Sequence, residues 1–254
     1  MSNIKYHFYR FMCNITIGKI KRFFQYKKNM SKTNIVYNRG ENNKFIVLDS
    51  QDNELHNYQY IKNLSVKFNG NNNLVILYEN INLTKSLNIV CSSNNILKIG
   101  RTNNPVNITL TDLCENCKLI IGNDLTSYGV HIPLHDSKGM EVNIGNSCLF
   151  AGQTEIRAYD GHSIIDNCGN ILNSPENITI GNHCWIGVGS MILKGSIIPD
   201  NSVLGAKSLY TKRTNPNDLQ SGIFVGVPAK RVRKDINWDI RNFDTLSQIM
   251  PVNK

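Results

Sequence analysis

Aliphatic side chains recur at every sixth position in the C-terminal half of the chain: Ile180, Ile186, Ile192, Ile198 and Leu204. A small residue fills the fifth place of each of these hexads: Cys184, Ser190, Ser196, Ser202 and Ser208. A helix repeats near 3.6 residues and a strand repeats every two, so neither alone explains this period. Six residues suffice for a short strand and a corner. Three hexads then close a triangular coil, and parallel coils stack at about 4.8 Å.

The chain before these hexads has the pattern of short strands. From about residue 33, β-branched runs with a two-residue alternation are separated by Asn and Gly. Four segments of the form aliphatic, any residue, aliphatic, Gly end at Gly100, Gly122, Gly145 and Gly181, at spacings of 22, 23 and 36 residues. These spacings fit one or two turns of an 18-residue unit with short insertions, which predicts a solenoid.

The predicted organisation is therefore an all-β parallel helix with less regular additions at both ends. We expect degenerate β coils over residues 33–94 and a hexapeptide-repeat domain over 95–233. Within that domain, residues 163–177 lack the hexad pattern and are expected to form a loop. A short C-terminal tail follows over 234–254.

The five successive hexads resemble the hexapeptide-repeat family, whose members form left-handed parallel β-helices. The resemblance covers about residues 95–233. Several members of the family are acyltransferases that use acetyl-CoA or a related thioester, often as trimers with the active site between adjacent prisms. The resemblance therefore implies a left-handed β-helix, acetyl-CoA as co-substrate and a homotrimer.

The net charge of +9 is concentrated at the N-terminus. Nine basic residues precede the first acidic one, Glu41: Lys5, Arg10, Lys19, Lys21, Arg22, Lys27, Lys28, Lys32 and Arg39. Apolar residues lie between them at roughly helical spacing: Ile4, Phe8, Phe11, Met12, Ile15, Ile20, Phe23 and Phe24. The pattern predicts a basic amphipathic helix over residues 1–32. Two roles stay open: contact with an anionic membrane surface, or packing on this protein or a neighbouring subunit.

The location and some classes of partner follow from composition. The rest of the chain has no basic excess, so nucleic acid is not an expected partner. No stretch approaches the roughly 18 apolar residues of a membrane span, and the N-terminus lacks the apolar block of a secretory signal. We expect a cytoplasmic protein that contacts the inner face of the membrane only if its basic arm does so.

A histidine interrupts the hydrophobic period. Counting in sixes from Ile144 gives Phe150 and Ile156, and the next place falls on His162. Residues 160–164, D-G-H-S-I, resemble a segment of O-acetyltransferases that modify bacterial surface polysaccharides, in which the histidine is the general base. A sugar hydroxyl must lose its proton as it attacks a thioester, and an imidazole suits that task at neutral pH. The alternative is a structural histidine at a coil corner.

The neighbours of His162 are expected to contact the acceptor. Asp160 either orients the imidazole or binds the acceptor sugar. Tyr159 precedes it and is assigned to the same acceptor site, although it replaces the small residue usual at this position. This departure leaves the shape of the acceptor pocket open.

A second resemblance concerns the acyl donor. Residues 226–230, G-V-P-A-K, resemble the G-N-P-A-K signature of sugar acetyltransferases, and further positions match their CoA contacts: Trp185, Val188, Ala206, Thr211, Lys212, Lys230 and Arg233. Cationic side chains are sensible partners for the cofactor's phosphates. The alternative for Lys230 and Arg233 is a solvated charge run. Ala206-Lys207-Ser208 departs from the family's A-G-S, so local contacts are expected to differ.

Metal and cysteine chemistry receive less support. Some hexapeptide proteins are zinc enzymes that use three histidines, and four candidates are present: His131, His135, His162 and His183. His131 and His135 are placed in an insertion between coils, so no metal is expected. Cys114 and Cys117 form a lone C-x-x-C without the second pair typical of zinc sites. Nucleophilic catalysis by Cys148, Cys168 or Cys184 is disfavoured, because Cys148 and Cys184 occupy the small inward place of hexads.

The resemblances together predict an acetyl-CoA-dependent O-acetyltransferase. Its acceptor would be a bacterial surface glycan such as a capsule, a lipooligosaccharide or a sialic acid, and transfer would be direct in a ternary complex. One alternative is an N-acetyltransferase of a nucleotide-linked amino sugar. The other is a non-catalytic trimeric β-helix that binds a glycan or a membrane.

Overall fold

The structure, a computed structural model, describes residues 34–214 and 219–251. The amphipathic helix predicted over residues 1–32 lies outside the described residues. Within them, no helix is long and apolar enough to cross a membrane. The expected all-β character is confirmed for the described part of the chain, where strands alternate with corners and one short helix, α1, follows the last strand.

The strands, numbered in chain order, and the helix have these bounds: β1 Ile35–Asn38, β2 Lys44–Leu48, β3 Leu64–Phe68, β4 Leu74–Tyr78, β5 Asn82–Leu83, β6 Leu87–Cys91, β7 Ile96–Ile99, β8 Pro105–Val106, β9 Ile108–Leu110, β10 Lys118–Ile121, β11 Thr126–Ser127, β12 Val130–Ile132, β13 Glu141–Ile144, β14 Leu149–Phe150, β15 Thr154–Arg157, β16 Ile178–Ile180, β17 Trp185–Ile186, β18 Met191–Leu193, β19 Ile197–Ile198, β20 Val203–Leu204, β21 Leu209–Tyr210, β22 Ile223–Gly226, β23 Ala229–Arg233 and α1 Phe243–Ser247.

Three long sheets form the faces of a prism. The first face runs in the order β2-β4-β7-β10-β13-β16-β19, the second in the order β11-β14-β17-β20-β22-β23, and the third in the order β9-β12-β15-β18-β21. Neighbouring strands are parallel except for the closing pair β22 and β23, which is antiparallel. The small sheet β1-β3-β6 lies beside β9, and the pair β5-β8 lies beside β11. The coils therefore continue into the degenerate N-terminal part of the chain.

The register confirms that three hexads make one coil. Ile180 pairs with Ile198, Ile186 with Leu204, and Ile192 with Tyr210, each eighteen residues further on. The residues of the six-residue period are at most 1% exposed and belong to one continuous core. The small residues in the fifth place are also buried. Their hydroxyls bond to backbone carbonyls, as Ser190 Oγ does to Gly205 O at 2.8 Å, so burial leaves them satisfied.

Glycine at the corners is required by the close approach of coils. A Cβ atom on Gly187 would lie 2.6 Å from the backbone nitrogen of Ala206 in the next coil. Real Cβ atoms essentially never come so close to backbone, so a side chain here would push two coils apart.

The hydrophobic period ends before His162. Ile144, Phe150 and Ile156 are buried as predicted, but the chain leaves the coil after Tyr159 and returns at β16. His162 is consequently an exposed loop residue and occupies no core position. The count in sixes was wrong at this one place, because an excursion interrupts the coil.

Candidate functional site

His162 lies on a loop, residues 160–177, at the edge where the third face meets the first. The loop is a short two-stranded ribbon: the Leu172 amide donates to Ile164 O at 2.8 Å, and Ile165 bridges Ile171 in antiparallel fashion. At its tip the Asp166 carboxylate accepts two backbone amides, each at 2.8 Å. Glu176 N donates to Ala158 O at 3.1 Å and closes the base. The loop is therefore an ordered element with its own hydrogen bonds.

Asn173 connects the two sides of this loop at the histidine. Its amide nitrogen donates to His162 O at 2.7 Å and to Asp160 Oδ2 at 2.9 Å. Its amide oxygen accepts the Ile164 amide at 2.6 Å. The backbone on both sides of His162 is thus held by a single side chain.

Asp160 is held by a lysine from the next coil. Lys194 Nζ lies 2.5 Å from Asp160 Oδ2 and 3.0 Å from Asn173 O. Only 16% of the Lys194 side chain is exposed, so the ion pair is partly shielded from solvent. Partial burial raises the pKa of Asp160, but the hydrogen bonds from Lys194 and Asn173 outweigh it and leave the pKa below its ordinary value. Asp160 is therefore an anion that anchors the loop.

The His162 imidazole has no hydrogen-bond or ion-pair partner among residues 34–214 and 219–251. It lines a cleft of about 190 Å³ together with Tyr159, Asp160 and Asn173, which we call the His162 cleft. Asp160 was predicted either to orient this ring or to bind the acceptor. Its Oδ2 atom bonds to Lys194 and Asn173, and no contact of Asp160 with the imidazole supports the first role. The histidine side chain is therefore exposed in the cleft without a described partner.

Tyr159 forms a second polar group at the same cleft. Its side chain is buried, and its hydroxyl lies 3.1 Å from His135 Nδ1. His135 Nε2 lies 3.0 Å from Asp136 Oδ2, and Asp136 also lines the cleft. Burial raises the pKa of Tyr159, and the nearby Asp136 raises it further. The hydroxyl therefore stays protonated and can donate to an acceptor sugar or to His135.

The predicted cofactor residues fall into two groups. Thr211 and Lys212 follow β21 at the same edge as the His162 loop, where Lys212 Nζ pairs with Glu176 Oε1 at 2.5 Å. The others lie on the second face or on its edge with the third face: Trp185, Val188, Ala206, Lys230 and Arg233. Trp185 and Val188 are 42% and 43% exposed, so this surface is open.

One protomer does not bring the two groups together. His162 lies between the third and first faces, whereas Val188 and Ala206 lie between the second and third faces. Five of the seven predicted cofactor residues therefore lie away from His162, on the second face or its edge with the third, whereas Thr211 and Lys212 share its edge. A site that uses both groups would need a second copy of the chain.

The other histidines considered for a metal site have partners in the described structure. His131 lies in strand β12 of the third face, and not in an insertion as the sequence suggested, with Nδ1 3.4 Å from Glu155 Oε1. His183 sits at a corner with φ of 53° and contacts Asn201 Oδ1 at 3.0 Å. Within the described ranges, no three His, Cys, Asp or Glu side chains are grouped to hold a metal ion.

The cysteines of the hexads lie in the core. Cys148 and Cys184 are at most 1% exposed, and the Cys184 thiol donates to Pro199 O at 3.2 Å. The adjacent Cys148 thiol and burial both raise the pKa of Cys184, so it is not a thiolate at neutral pH. Cys117 is also buried, and its pKa is raised by desolvation.

Sequence reasoning missed three residues that organise this region. Lys194 and Asn173 fix the His162 loop, and Trp238 in the C-terminal tail stacks on His183 with ring centroids 4.3 Å apart. The sequence contained one indication of Lys194: it lies eighteen residues before Lys212, at the equivalent position of the preceding coil. Asn173 and Trp238 belong to no repeat, so the sequence pattern offered no way to find them.

Comparisons with known proteins agree with this architecture. The galactoside O-acetyltransferase of Escherichia coli (strain K12) is 36% identical over 95 residues, which cover 37% of this chain and 44% of that protein. The polysialic acid O-acetyltransferase of Neisseria meningitidis is 35% identical over 129 residues, covering 50% and 58%. The chain thus spans about half the length of the curated relatives it matches. No family model matches the chain.

A solved structure shares most of the fold. The crystal structure of the polySia specific acetyltransferase NeuO superposes with a TM-score of 0.64 at 24% identity, covering 83% of this chain and 91% of that one. The fold class predicted from the hexads, a left-handed parallel β-helix built from hexapeptide repeats, is confirmed.

The resemblance to the hexapeptide-repeat acyltransferases is likewise confirmed by the fold and by the sequence relatives, which are O-acetyltransferases of a galactoside and of polysialic acid.

Proposed function

We propose that this protein transfers an acetyl group from acetyl-CoA to a hydroxyl of a bacterial surface glycan. The observation that carries the proposal is the His162 imidazole, which is exposed in a cleft and unpaired within the described chain while its backbone is held by Asn173. A structural histidine at a corner would have partners, as His183 does. The sugar O-acetyltransferases among the relatives support the same reaction class.

His162 acts as the general base of a direct transfer. Its unprotonated ring nitrogen takes the proton of the acceptor hydroxyl as the hydroxyl oxygen bonds to the acetyl carbon. The carbon–sulfur bond then breaks, and the imidazolium gives the same proton to the departing thiolate, which leaves as the CoA thiol. The histidine ends neutral, so the cycle needs no further proton source. Tyr159 and Asp136, which line the same cleft, bind the acceptor.

The second face offers a suitable surface for the acyl donor. When bound, acetyl-CoA supplies the activated acetyl group. Lys230 and Arg233 project from β23 and form no ion pair with any described residue, so their charges are available to phosphates. Val188, Ala206 and Trp185 provide an exposed apolar strip for the pantetheine arm. Lys212 fits less well, because Glu176 already neutralises it.

The complete site forms between subunits of a homotrimer. The 160–177 loop of one copy carries exposed aliphatic side chains next to His162: Ile164, Ile165, Ile171 and Leu172. The second face of a neighbouring copy carries the donor residues and exposes Val188, Val225 and Val227. Packing the loop on that face buries both apolar surfaces and joins base to donor. Such head-to-tail contacts close into a ring of three when neighbouring copies are related by a threefold rotation.

Release of CoA tests the chemistry. The full-length protein is mixed with acetyl-CoA and a glycan acceptor, and the free thiol is measured. His162→Gln should reduce the rate by about 10² to 10⁴, the usual contribution of a general base. His56→Gln is the matched control, because the His56 side chain is 84% accessible and does not line the cleft. Equal activity of His162→Gln and the control would refute the role of His162.

Mixing experiments test the shared site. His162→Ala and Trp185→Ala protomers, each weakly active, are unfolded together and refolded as mixed trimers. A shared site restores activity, because some interfaces then pair an intact loop with an intact face. Restoration fails if each protomer holds a complete site. The predicted contact of the basic arm with an anionic membrane stays a prediction, tested by sedimentation with anionic vesicles at low and high salt.

A further inference from the structure

A second concave surface lies on another edge of the prism. Here the C-terminal tail crosses the edge between the first and second faces and encloses a groove of about 470 Å³, which we call the tail groove. Trp238 and Asp239 line it from the tail, and Asp124, Ser147 and His183 line it from the prism. The tail groove shares no lining residue with the His162 cleft.

The prism wall is a ladder of side chains set by the backbone. Asp124, Ser147 and His183 occupy the same corner of three successive coils, with φ of 58°, 56° and 53°. This shared left-handed conformation gives the three residues the same backbone orientation. Because coils stack at about 4.8 Å, a carboxylate, a hydroxyl and an imidazole recur along the groove at that interval.

The tail wall is a fixed aromatic ring. Trp238 Nε1 donates to His183 O at 2.6 Å, and its indole lies parallel to the imidazole with an interplanar angle of 9°. These two contacts fix the ring through its Nε1 edge and the face toward His183, so a ligand would pack on the opposite face. A rigid indole beside polar groups is a recognition surface with little entropy to lose on binding.

The groove is acidic and has an unused acceptor. Arg241 Nη2 lies 2.7 Å from Asp239 Oδ2. The hydrogen bonds from Arg241 lower the pKa of Asp239 to about 2. The Asp124 side chain has no hydrogen-bond or ion-pair partner in the described ranges. No lysine or arginine is among the lining residues. The Thr126 hydroxyl, at the groove floor, is buried and lacks a partner in the same ranges.

We propose that the tail groove binds an uncharged, hydroxyl-rich sugar unit. Sugar hydroxyls donate to Asp124, and the apolar face of a pyranose ring packs on Trp238. Anionic ligands such as phosphates or sialic acids are disfavoured, because the Asp124 carboxylate is unpaired within the described ranges and no lysine or arginine lines the groove. This site goes beyond the proposed acetyl transfer: it holds a glycan at a place that His162 does not reach, and it does not require that His162 be a base.

The two tryptophans of the chain make the test direct. In a Trp185→Phe background, Trp238 is the remaining indole and reports on the groove by fluorescence. The full-length variant is titrated with three neutral disaccharides, lactose, maltose and N-acetyllactosamine, and with sialyllactose as the anionic probe. We expect a saturable change in emission with a neutral disaccharide and weaker binding of sialyllactose.

Asp124→Asn separates recognition from folding. Asparagine keeps the left-handed corner and the shape of the side chain but removes the charge. Binding of the neutral disaccharide should weaken by about fivefold, because a charge-assisted hydrogen bond is replaced by a neutral one, while binding of sialyllactose strengthens. Asp112→Asn, an exposed carboxylate outside the groove, is the matched control and should change neither.

Three outcomes overturn the proposal: no saturable response to any neutral disaccharide, sialyllactose binding at least as tightly as they do, or Asp124→Asn behaving like the control. The same titration with His162→Gln keeps the two proposals apart. Retained sugar binding with no acetyl transfer by the wild type would sink only the enzymatic proposal.

Discussion

Replacing Lys194 with methionine removes the cation that holds the His162 loop and leaves the length of the side chain intact. A hydrogen bond to a charged group contributes about 1.5 to 3 kcal/mol. The Asp160 side chain is 38% exposed, so solvent screening reduces this to about 1 to 2 kcal/mol. Asp160 retains the bond from Asn173 at 2.9 Å, so the loop is weakened rather than lost.

The expected effect on activity follows from that free energy. A factor of ten corresponds to about 1.4 kcal/mol, so kcat for acetyl transfer should fall by about tenfold. The KM for acetyl-CoA should not change, because Lys194 does not lie on the second face. Amide hydrogen exchange at Ile164 and Leu172 should accelerate, since both amides bond within the loop. This exchange measurement does not depend on the proposed reaction.

The direction of the Asp160 pKa shift fixes how the stability contributed by the Lys194–Asp160 pair depends on pH. The folded protein lowers the pKa of Asp160 below its ordinary value of 3.8. The pair therefore stabilises the fold fully above that value and stops doing so as the pH falls through the lower, folded pKa. The difference in unfolding free energy between wild type and Lys194→Met should be largest near neutral pH and vanish in acid.

Two variants control this experiment. Lys118→Met breaks an exposed pair with Glu141 at 3.0 Å on the first face and should cost less than about 1 kcal/mol without affecting kcat. Lys194→Arg can still bond to Asp160 and should recover part of the activity. The reasoning fails if Lys194→Met behaves like Lys118→Met, or if its instability persists unchanged in acid.

Two further predictions concern the coils. Gly187→Ala should destabilise the protein by about 1 to 3 kcal/mol in urea unfolding, because its Cβ would lie 2.6 Å from the backbone of the next coil. Gly152→Ala is the control and should be tolerated, because its Cβ would lie 3.7 Å from its nearest neighbour. Equal effects of the two substitutions would contradict the close-approach argument. Thr126→Val should leave stability unchanged or raise it by up to about 1 kcal/mol, since the buried hydroxyl has no partner in the described chain. Thr154→Val is its control and should be destabilising, because the Thr154 hydroxyl bonds to Gly129 O at 3.2 Å; loss of stability in both variants would be the contrary result.

The architecture was readable in the sequence because the fold is nearly one-dimensional. Each coil contacts its neighbours at a fixed register. A local period such as Ile180, Ile186 and Ile192 therefore predicts which side chains face the core. The D-G-H-S-I segment is five consecutive residues, so its resemblance to the O-acetyltransferase segment could be recognised, with His162 in it, without knowledge of the fold. The count failed where the 160–177 loop leaves the coil, since an insertion has no period to follow.

The contacts that organise the candidate site came only with the tertiary structure. Lys194 and Asp160 are 34 residues apart, and Trp238 and His183 are 55 apart. These are exposed or half-buried polar and aromatic residues, whose positions no core period constrains. Their meeting depends on the length of the loop and on how the tail folds back.

The sequence by itself determined the coil and the buried face of each strand, because burial of one aliphatic per hexad leaves little choice. The resemblance of the D-G-H-S-I segment, and not the period, singled out His162. Only the tertiary structure decided that His162 stands outside the core, that Asn173 and Lys194 hold its loop, and that most of the predicted donor residues lie away from it on the prism. Those facts depend on where distant segments meet in space, which a repeating pattern of side chains does not encode.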